Sequence, residues 1–569
     1  MKFFAGAVSL LLCLSLHAQA WLWARGGDPA SISEGYAVAT DASGNVFVTG
    51  YFQNSAITFG SYTLPNTGFA DAYLTKYDAS GNVIWARSAG GIDFDMGTSV
   101  ATDAAGNIYW TGCFQSASIT IGTYTLTNTL SGDLDIFIVK FNAAGNVVWA
   151  KSAGGTGTDY GYGIATDHSG NIYLAGSFTS PSINLGSFTL NNTASVSSLE
   201  MFLIKYDAAG NVVWAKSEGG VNNEEAYAVA TDVAGNIFVT GYFTTPTFNF
   251  GTFTLTNADN TGNSPDVFIA KFNPSGTVLW AKDAGGTGQD YGFGIAADIS
   301  GNIYSTGGFG SSGITFGSTT LTNMAVGNFD CFIVKYDNNG NVIWVKNGTG
   351  GNTDAGYSVA IDNSQNVYVV GSFTSLTVAF DALNLNYPVG GTDPLFIVKF
   401  DPAGNVLCGS ALMSGGDDRS SVATDGVGDA YVGGDFEPAS FVVGADTLSL
   451  TNSTYETVFV AKYTCDSTAI EPSPLPNECN TIYVPSAFSP NGDGQNDVLF
   501  VRSPCISQMD FVIYDRWGEK VFETTDITKG WDGTLHGEKS SNAVFIYCVT
   551  ATFTNGKTGF AKGNVSLIK

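Results

Sequence analysis

One sequence unit recurs seven times along most of this chain, and three markers define it. An aspartate in "ATD" or a relative of it recurs at intervals of 62 to 66 residues, at Asp41, Asp103, Asp167, Asp232, Asp298, Asp362 and Asp425. A lysine in "FIVKF" and its relatives follows at Lys76, Lys140, Lys205, Lys271, Lys335, Lys399 and Lys462. Six copies of a "VVWAK"-like segment carry a tryptophan, and the seventh is the degenerate "VLCGS". Tandem units of one length fold as an open solenoid or as a ring of similar sheets.

Each unit reads as four short strands, which we name A to D. Typical examples are "GYGIATD", "NIYLAGSF", "DIFIVKF" and "NVVWAK", in which β-branched and aromatic residues recur with a period of two. Turns such as "DHSGN" and "NAAGN" join A to B and C to D, because Asp, Asn and Gly accept the backbone angles of tight turns. The longer B–C connection carries a hairpin of its own, such as "ITIGTYTLTN".

The two ends of the array are complementary. The segment "WLWA" at Trp21–Ala24 is a D strand without a preceding C strand, and the last C strand, Val458–Thr464, has no D strand after it. An unpaired sheet edge invites aggregation, so we expect these two strands to pair. The sequence therefore predicts an all-β chain in which residues 21–465 form a seven-bladed β-propeller closed by the N-terminal strand. The unit resembles the β-propeller repeats of secreted bacterial proteins, a resemblance that implies the fold and leaves the function open.

The N-terminus predicts export. Lys2 precedes an apolar run, and "AQA" at Ala18–Ala20 offers small residues for cleavage, so residues 1–20 are interpreted as a secretory signal peptide. No later stretch reaches 18 consecutive apolar residues, and we therefore expect no transmembrane helix.

The C-terminus differs in pattern from the repeats. Residues 466–480 are short, polar and rich in proline, which is typical of a linker, and residues 481–569 are predicted to form a small β-sandwich. The motifs "FSPNGDGQND", "YDRWG" and "WDG" in this order resemble the type B sorting domain of type IX secretion cargo, also called the gliding-motility-associated C-terminal domain. This resemblance implies a Bacteroidetes-type bacterium, the type IX secretion machinery as partner, and a product that is secreted or displayed on the outer-membrane surface.

Composition and motifs limit the chemistry. The formal net charge of −27 opposes binding to nucleic acid. The histidines after the leader, His168 and His536, lie in predicted turns without a catalytic partner at a recognisable spacing. The predicted function is a binding or adhesion module with an extracellular glycan or protein ligand, and not an enzyme. Two alternatives stay open: a structural surface protein without a discrete ligand, and a polysaccharide-active propeller enzyme.

One constellation predicts a ligand site. Eight residues before six of the seven repeat aspartates stands an acid: Asp95, Asp159, Glu224, Asp290, Asp354 and Asp417. Five residues before stands an aromatic residue in most copies, and we select Tyr162, Tyr227, Phe293 and Tyr357. These residues predict a ring of carboxylates and aromatic rings at the channel mouth that binds a cation or a glycan. The alternative is that each acid accepts hydrogen bonds from backbone N–H groups of the neighbouring glycine turn.

The cysteines and one loop add two predictions to the C-terminal domain. Cys113, Cys331 and Cys408 stand singly among the repeats and are interpreted as apolar filler, whereas Cys479 and Cys505 are predicted to pair in an oxidising compartment. Cys465 and Cys548 are not assigned. Oxygen-bearing side chains alternate at Asn491, Asp493, Gln495 and Asp497. This spacing either binds Ca²⁺ weakly or forms a structural turn, and no other cofactor is predicted.

Overall fold

The computed structural model describes most of the chain and divides it into two compact units, residues 1–469 and 470–569. The described residues are 18–569 without 29, 194–197, 260, 389–391, 415–419, 427, 438–439, 445, 451–455, 467–481, 483, 485–486, 491–497, 502–505, 528, 536–537, 540–542, 554–555 and 568–569. They contain strands and no helix, so none of them forms a helix able to span a membrane. Residues 1–17 of the predicted leader and the linker after Asp466 fall outside them, whereas the last leader residues, Ala18–Ala20, lie in the first strand. The predicted domain boundaries stay predictions.

The strands follow the four-strand unit of the sequence. The chain starts with β1 (Ala18–Gly26). Sheet 1 and its hairpin comprise β2 (Ser33–Thr40), β3 (Val46–Phe52), β4 (Ala56–Phe59), β5 (Tyr62–Pro65), β6 (Asp71–Tyr77) and β7 (Val83–Ala89). Sheet 2 comprises β8 (Asp95–Thr102), β9 (Ile108–Phe114), β10 (Ser118–Ile121), β11 (Tyr124–Thr127), β12 (Asp135–Phe141) and β13 (Val147–Ala153). Sheet 3 comprises β14 (Asp159–Thr166), β15 (Ile172–Phe178), β16 (Ser182–Asn184), β17 (Thr189–Asn191), β18 (Glu200–Tyr206) and β19 (Val212–Glu218).

The later sheets repeat this order. Sheet 4 comprises β20 (Glu224–Thr231), β21 (Ile237–Phe243), β22 (Thr247–Phe250), β23 (Phe253–Thr256), β24 (Asp266–Phe272) and β25 (Val278–Ala284). Sheet 5 comprises β26 (Asp290–Ala297), β27 (Ile303–Phe309), β28 (Gly313–Phe316), β29 (Thr319–Thr322), β30 (Asp330–Tyr336) and β31 (Val342–Gly348). Sheet 6 comprises β32 (Asp354–Ile361), β33 (Val367–Phe373), β34 (Thr377–Phe380), β35 (Leu383–Asn386), β36 (Thr392–Phe400) and β37 (Val406–Ser414). Sheet 7 adds β38 (Ser421–Thr424), β39 (Ala430–Phe436), β40 (Ser440–Val443), β41 (Asp446–Ser449) and β42 (Thr457–Asp466).

Seven four-stranded antiparallel sheets are present in the described residues. Sheets 1 to 6 each use four strands of one repeat in the order A-B-C-D. The short hairpin of each B–C connection forms a separate two-stranded sheet. Sheet 7 is different, because its order is β1-β42-β39-β38. Its fourth strand is therefore the N-terminal one, with Trp23 opposite Lys462 and Arg25 opposite Val460.

The core lies between neighbouring sheets. The B and C strands, such as β3 and β6, are buried along their whole length, whereas the D strands are partly exposed. One apolar cluster joins Phe47 and Leu74 of sheet 1 to Trp110 and Phe137 of sheet 2, and the next clusters repeat this arrangement. A strand with both faces covered needs apolar residues on both, which explains continuous runs such as "DIFIVKF".

The A–B and C–D turns are fixed by their first residue. Asp41 Oδ1 accepts hydrogen bonds from the backbone N–H groups of Ser43 at 2.9 Å and Asn45 at 3.0 Å. Gly44 has a φ of 76°, a backbone conformation that side chains disfavour. The same contacts recur at Asp103, Asp167, Asp232 and Asp298, so the "DxxGN" motif is a property of the turn.

A directional contact, which we call the turn contact, recurs between neighbouring sheets other than sheets 6 and 7, where Cys408 occupies the tryptophan position. The Trp280 indole N–H and the Lys271 ammonium of sheet 4 both donate to the Asn338 carbonyl, in the C–D turn of sheet 5, at 3.2 Å. Lysines lie about 5 Å from an aromatic ring of their own sheet, as Lys271 does at 5.1 Å from Phe238. The indoles of Trp149, Trp214 and Trp344 donate in the same way to Ala208, Pro274 and Pro402. Among the described residues, Trp85 Nε1 has no hydrogen-bond partner.

Sheets 7 and 1 make the same contacts as the other neighbours. Trp23 on β1 donates its indole N–H to the Ala79 carbonyl in the C–D turn of sheet 1, at 3.2 Å. The inner strands contact one another in sequence, and β38 also contacts β2. Threonine hydroxyls join them: Thr102 donates to the Thr40 carbonyl at 2.7 Å, and Thr40 donates to the Thr424 carbonyl at 2.7 Å.

Cys408 is not the apolar filler that the sequence suggested. It forms a disulfide with Cys465, between β37 of sheet 6 and β42 of sheet 7, with the two Cα atoms 6.5 Å apart. The degenerate D strand that replaced tryptophan with cysteine thus contributes a covalent bond between sheets. Cys113 and Cys331 are buried and not disulfide-bonded, as expected for filler residues, and Cys548 is not disulfide-bonded either.

The C-terminal unit has a sheet of its own. Its strands are β43 (Ala487–Phe488), β44 (Ile506–Tyr514), β45 (Lys520–Thr524), β46 (Thr534–Leu535), β47 (Glu538–Lys539), β48 (Ala543–Phe553) and β49 (Thr558–Leu567). Five of them form a sheet in the order β43-β49-β48-β44-β45 around a core that includes Phe511, Trp531 and Val565. Within the described part of this unit the remaining strands form one hairpin, and the predicted sandwich stays a prediction.

Candidate functional site

Six of the described inner strands share a pairing irregularity at the same position. In sheet 1 the pairing passes from Gly35 opposite Gly50 to Ala37 opposite Thr49, so Tyr36 is the extra residue of a β-bulge. A bulge redirects the side chain of its extra residue. The same position is occupied in sheets 2 to 6 by Thr98, Tyr162, Tyr227, Phe293 and Tyr357.

These bulge residues meet in one cavity of about 490 Å³. Its lining takes the bulge residue and the next one or two residues of successive inner strands, and in sheet 7 it takes Ser420 and Ser421. A cavity of several hundred Å³ has the size of a small-molecule site. Among the described lining residues, Glu225 is the acid, and the basic side chains Lys, Arg and His do not occur.

Aromatic rings form a continuous arc on one side of this cavity. The ring centroids are 5.3 Å apart for Tyr162 and Tyr227, 5.7 Å for Tyr227 and Phe293, and 5.3 Å for Phe293 and Tyr357. Tyr162 is also stacked on Tyr160, with centroids 5.2 Å apart. The structure thus brings together the four aromatic residues selected from the sequence, and we call them the aromatic arc. Ligand binding by the arc stays a prediction.

The predicted carboxylates occupy a different place. Asp159 is fully buried, and its Oδ2 accepts hydrogen bonds from the Gly155 N–H at 2.8 Å and the Ser180 hydroxyl at 2.7 Å. Its Oδ1 accepts a third from the Ser180 N–H at 3.2 Å. Asp95, Glu224, Asp290 and Asp354 are equally buried and equally bonded to a neighbouring Ser or Thr. None of these five lines the cavity, so the structure favours the backbone-capping alternative over a carboxylate ring at the channel.

Burial changes the acidity of these groups. It raises the pKa of Asp95 and Asp290 to about 6, and that of Asp159, Glu224 and Asp354 to about 7. The hydrogen bonds oppose this shift, and a carboxylate at the start of the preceding C strand adds to it, as Asp135 does for the pKa of Asp159. A pair of glycines precedes each A strand beside these acids, where a side chain would collide with them. A Cβ on Gly154, for example, would lie 2.0 Å from Asp135 Oδ1.

Sequence reasoning missed Glu225, the acid that does line the cavity. It lies on the same strand as Tyr227, two residues before it and next to the bulge. Its side chain is 6% exposed and accepts hydrogen bonds from the Tyr242 hydroxyl at 2.5 Å and the Ser177 hydroxyl at 3.4 Å. Burial raises the pKa of Glu225, and the hydroxyls of Tyr242, Tyr162 and Ser177 partly offset that rise. Glu224, the residue immediately before Glu225, lies on the opposite face of the strand.

Several predicted residues lie outside the described part of the chain. They are Asp417, Asn491, Asp493, Gln495, Asp497, Cys479 and Cys505. The calcium loop and the Cys479–Cys505 pair therefore stay predictions. Within the described residues, no group of three or more His, Cys, Asp or Glu side chains could hold a metal ion.

Two family models match parts of the chain. Residues 482–567 match the CHU_C Type IX secretion signal domain, and residues 148–177, which include β14 and most of β13 and β15, match a Beta-propeller repeat. The chain therefore carries propeller repeats and ends in a type IX secretion signal domain, as the motifs predicted. Such a signal implies export to the cell surface or secretion. The many four-stranded antiparallel sheets agree with propeller blades.

Relatives are distant. An uncharacterized WD repeat-containing protein of Acanthamoeba polyphaga mimivirus is 25% identical over 78% of this chain, which spans 38% of that protein. The regulatory protein FlaEY of Caulobacter vibrioides is 27% identical over 31% of this chain, which spans 19% of that protein. A solved structure of a Dyadobacter fermentans protein of unknown function covers 65% of this chain and 95% of its own, with 9% identity and a TM-score of 0.35.

Proposed function

We propose that this chain is an exported binding protein whose seven sheets are the blades of a β-propeller closed by β1. The C-terminal domain directs it through type IX secretion in a Bacteroidetes-type bacterium, after removal of a signal peptide at residues 1–20. The ligand, a glycan or a small organic molecule, enters the cavity between the inner strands. One observation carries the proposal: bulges at the same position of six inner strands direct their extra residues into this one cavity.

Closure by β1 is supported by contacts that sheets 7 and 1 share with the other neighbours. The Trp23 to Ala79 hydrogen bond corresponds to the Trp280 to Asn338 bond, at the same 3.2 Å. The Thr40 to Thr424 bond corresponds to the Thr102 to Thr40 bond, at the same 2.7 Å. A ring of equivalent units is the arrangement in which every sheet has two neighbours.

In this proposal the cavity binds without catalysis. Glycoside hydrolysis requires two carboxyl groups at a defined separation. The described lining holds one acid, Glu225, and the fully buried acids such as Asp159 have their oxygens bonded within the fold. Measurable turnover of a polysaccharide by the purified protein would contradict this part of the proposal.

The test compares binding by two sets of variants. Glycans and small organic molecules are first screened against the full chain by calorimetry. Tyr227→Ala and Phe293→Ala remove rings of the aromatic arc, and we expect each to weaken any ligand found by at least about ten-fold, the size of one stacking contact. Tyr124→Ala is the matched control, because Tyr124 belongs to the outer hairpin and donates its hydroxyl to Val148 O at 2.8 Å. Equal loss in all three variants, or no loss in the arc variants, would contradict a site in the cavity.

A further inference from the structure

Glu225 is an acid in an unusual position. Its carboxyl group is nine-tenths buried at the wall of the cavity, and its described partners are hydroxyl groups. In the described residues it forms no ion pair with Lys, Arg or His. Burying a carboxylate without a cation costs free energy, so this position favours the arrival of a positive charge.

The aromatic arc adds a second attraction for a cation. The face of an aromatic ring is electron-rich and attracts an ammonium group that lies within about 6 Å of its centroid. The four rings follow one another with centroids 5.3 to 5.7 Å apart, so a small ligand in the cavity contacts more than one of them. The chain already uses this interaction elsewhere, because Lys335 lies 4.9 Å from the Tyr304 ring.

Charge and hydrogen bonding at the lining agree with this preference. The described lining contains no Lys, Arg or His, and the whole chain has a net charge of −27, so an anionic ligand is disfavoured. On the sheet 7 side, Ser420 is 4% exposed, and within the described residues its hydroxyl has no hydrogen-bond partner. A buried hydroxyl without a partner is uncommon and provides a polar contact for a bound group.

From Glu225, the aromatic arc and Ser420 we propose that the cavity binds a small organic ammonium ion. The cationic group lies against the arc beside Glu225, and a polar substituent of the ligand bonds to Ser420. This inference rests on the proposed function, because it names the ligand class of the same cavity. A cavity of about 490 Å³ has room for an amine or quaternary ammonium compound with a short polar chain.

The first experiment separates charge from shape. Choline and its neutral isostere, in which carbon replaces the ammonium nitrogen, are titrated into the full chain by calorimetry. We expect choline to bind at least about ten-fold more tightly, which corresponds to one favourable cation–π or charge contact. Equal affinities for the two compounds would overturn the inference, whatever the behaviour of any variant.

The second experiment uses a matched pair of glutamates. Glu225→Gln keeps the shape and removes the charge at the cavity, and we expect choline affinity to fall about ten-fold. Glu34→Gln makes the same change in sheet 1, where Glu34 accepts a hydrogen bond from Tyr51 and does not belong to the lining. We expect this variant to bind choline as the unchanged chain does. Equal affinities of the two variants would contradict the role of Glu225.

A third arm distinguishes this inference from the proposed function. If neutral sugars bind and choline does not, and Tyr227→Ala abolishes sugar binding, the cavity is a ligand site but not for a cation. If no probe binds and Tyr227→Ala changes nothing, both the inference and the proposed function are wrong.

Discussion

Trp23 offers a direct test of ring closure, because it has a close counterpart inside the array. Trp23 on β1 is 7% exposed and Trp280 on β25 is 6% exposed. Each indole N–H donates at 3.2 Å to a carbonyl in the C–D turn of the next sheet, Ala79 for one and Asn338 for the other. A guanidinium carbon of Arg25 lies 5.4 Å from the Trp23 ring, which adds a cation–π contact. The two residues differ mainly in position, one at the chain terminus and one in the middle.

The expected cost of Trp23→Ala follows from this burial. Replacing a buried tryptophan by alanine costs about 3 to 5 kcal/mol, including the cavity left behind. If the propeller unfolds as one unit of roughly 450 residues, its unfolding entropy is roughly 1 kcal/mol per degree, and the melting temperature falls by about 4 °C. In a closed ring Trp280→Ala should cause a similar fall.

Calorimetric melts of the two variants decide between a ring and an open array. In an open array the first strand frays locally, and its loss barely changes the global transition. Closure is refuted if Trp280→Ala lowers the melting temperature by several degrees and Trp23→Ala leaves it unchanged. Circular dichroism of both variants at low temperature checks that each still folds.

Three further predictions concern the buried groups. The pKa of Asp159 is raised to about 7 in the folded chain, so the native state holds the proton more tightly than the unfolded state does; stability is therefore lost as pH rises towards and through about 7. We expect the melting temperature to fall between about pH 5 and about pH 8, and to fall less in Asp159→Asn; identical slopes would reject this assignment. The Cys408–Cys465 disulfide closes a loop with a sequence separation of 57, so reduction should destabilise the fold by about 4 kcal/mol. A Cys408→Ala/Cys465→Ala double variant should melt at the same temperature with and without reductant, and a wild-type melt that reductant leaves unchanged after full reduction would contradict the estimate. Gly97→Ala should destabilise the bulge of sheet 2, because the added Cβ would lie 2.2 Å from Thr49 Oγ1. Gly132→Ala is the control: no atom lies within 4 Å of its added Cβ, so it should cost only the backbone strain of its φ of 104°. Equal melting temperatures of the two variants would refute the packing argument.

The order of strands within each sheet follows from the sequence repeat alone. Markers such as Asp41, Lys76 and Trp85 recur at a nearly constant spacing, and each occupies the same place in its sheet. The "DxxGN" turns are predictable for the same reason, because the Asp side chain and Gly44 act within five residues of chain. Interactions between residues this close in the chain leave a recognisable pattern in consecutive residues.

The site is harder to predict, because its geometry depends on the backbone. The spacing of five residues before the repeat aspartate identifies the aromatic arc, but not the bulge that directs Tyr227 into the cavity. Glu224 and Glu225 are adjacent acids with opposite surroundings: the first is bonded to Gly220 and Thr245 in the interior, and the second lines the cavity. Counting acids selects the first, whereas the second lines the cavity beside a bulge that interrupts the alternation of the strand. The partner of Cys408 could not be predicted either, because it stands 57 positions away on another sheet.

The turn contact between sheets has two unlike sides, since donors such as Trp280 always belong to one sheet and the acceptor carbonyl to the next. An interface of unlike sides is satisfied at every junction of a ring, whereas a broken ring leaves one donor side and one acceptor side unused. A chain that lacks β1 would carry a bare β42 edge at one end and an unused Ala79 carbonyl at the other. Because the donor Trp23 is lost together with β1, the exposed β42 edge is the surface that can pair with another chain, and the expected product of such a truncation is edge-to-edge association that grows with protein concentration.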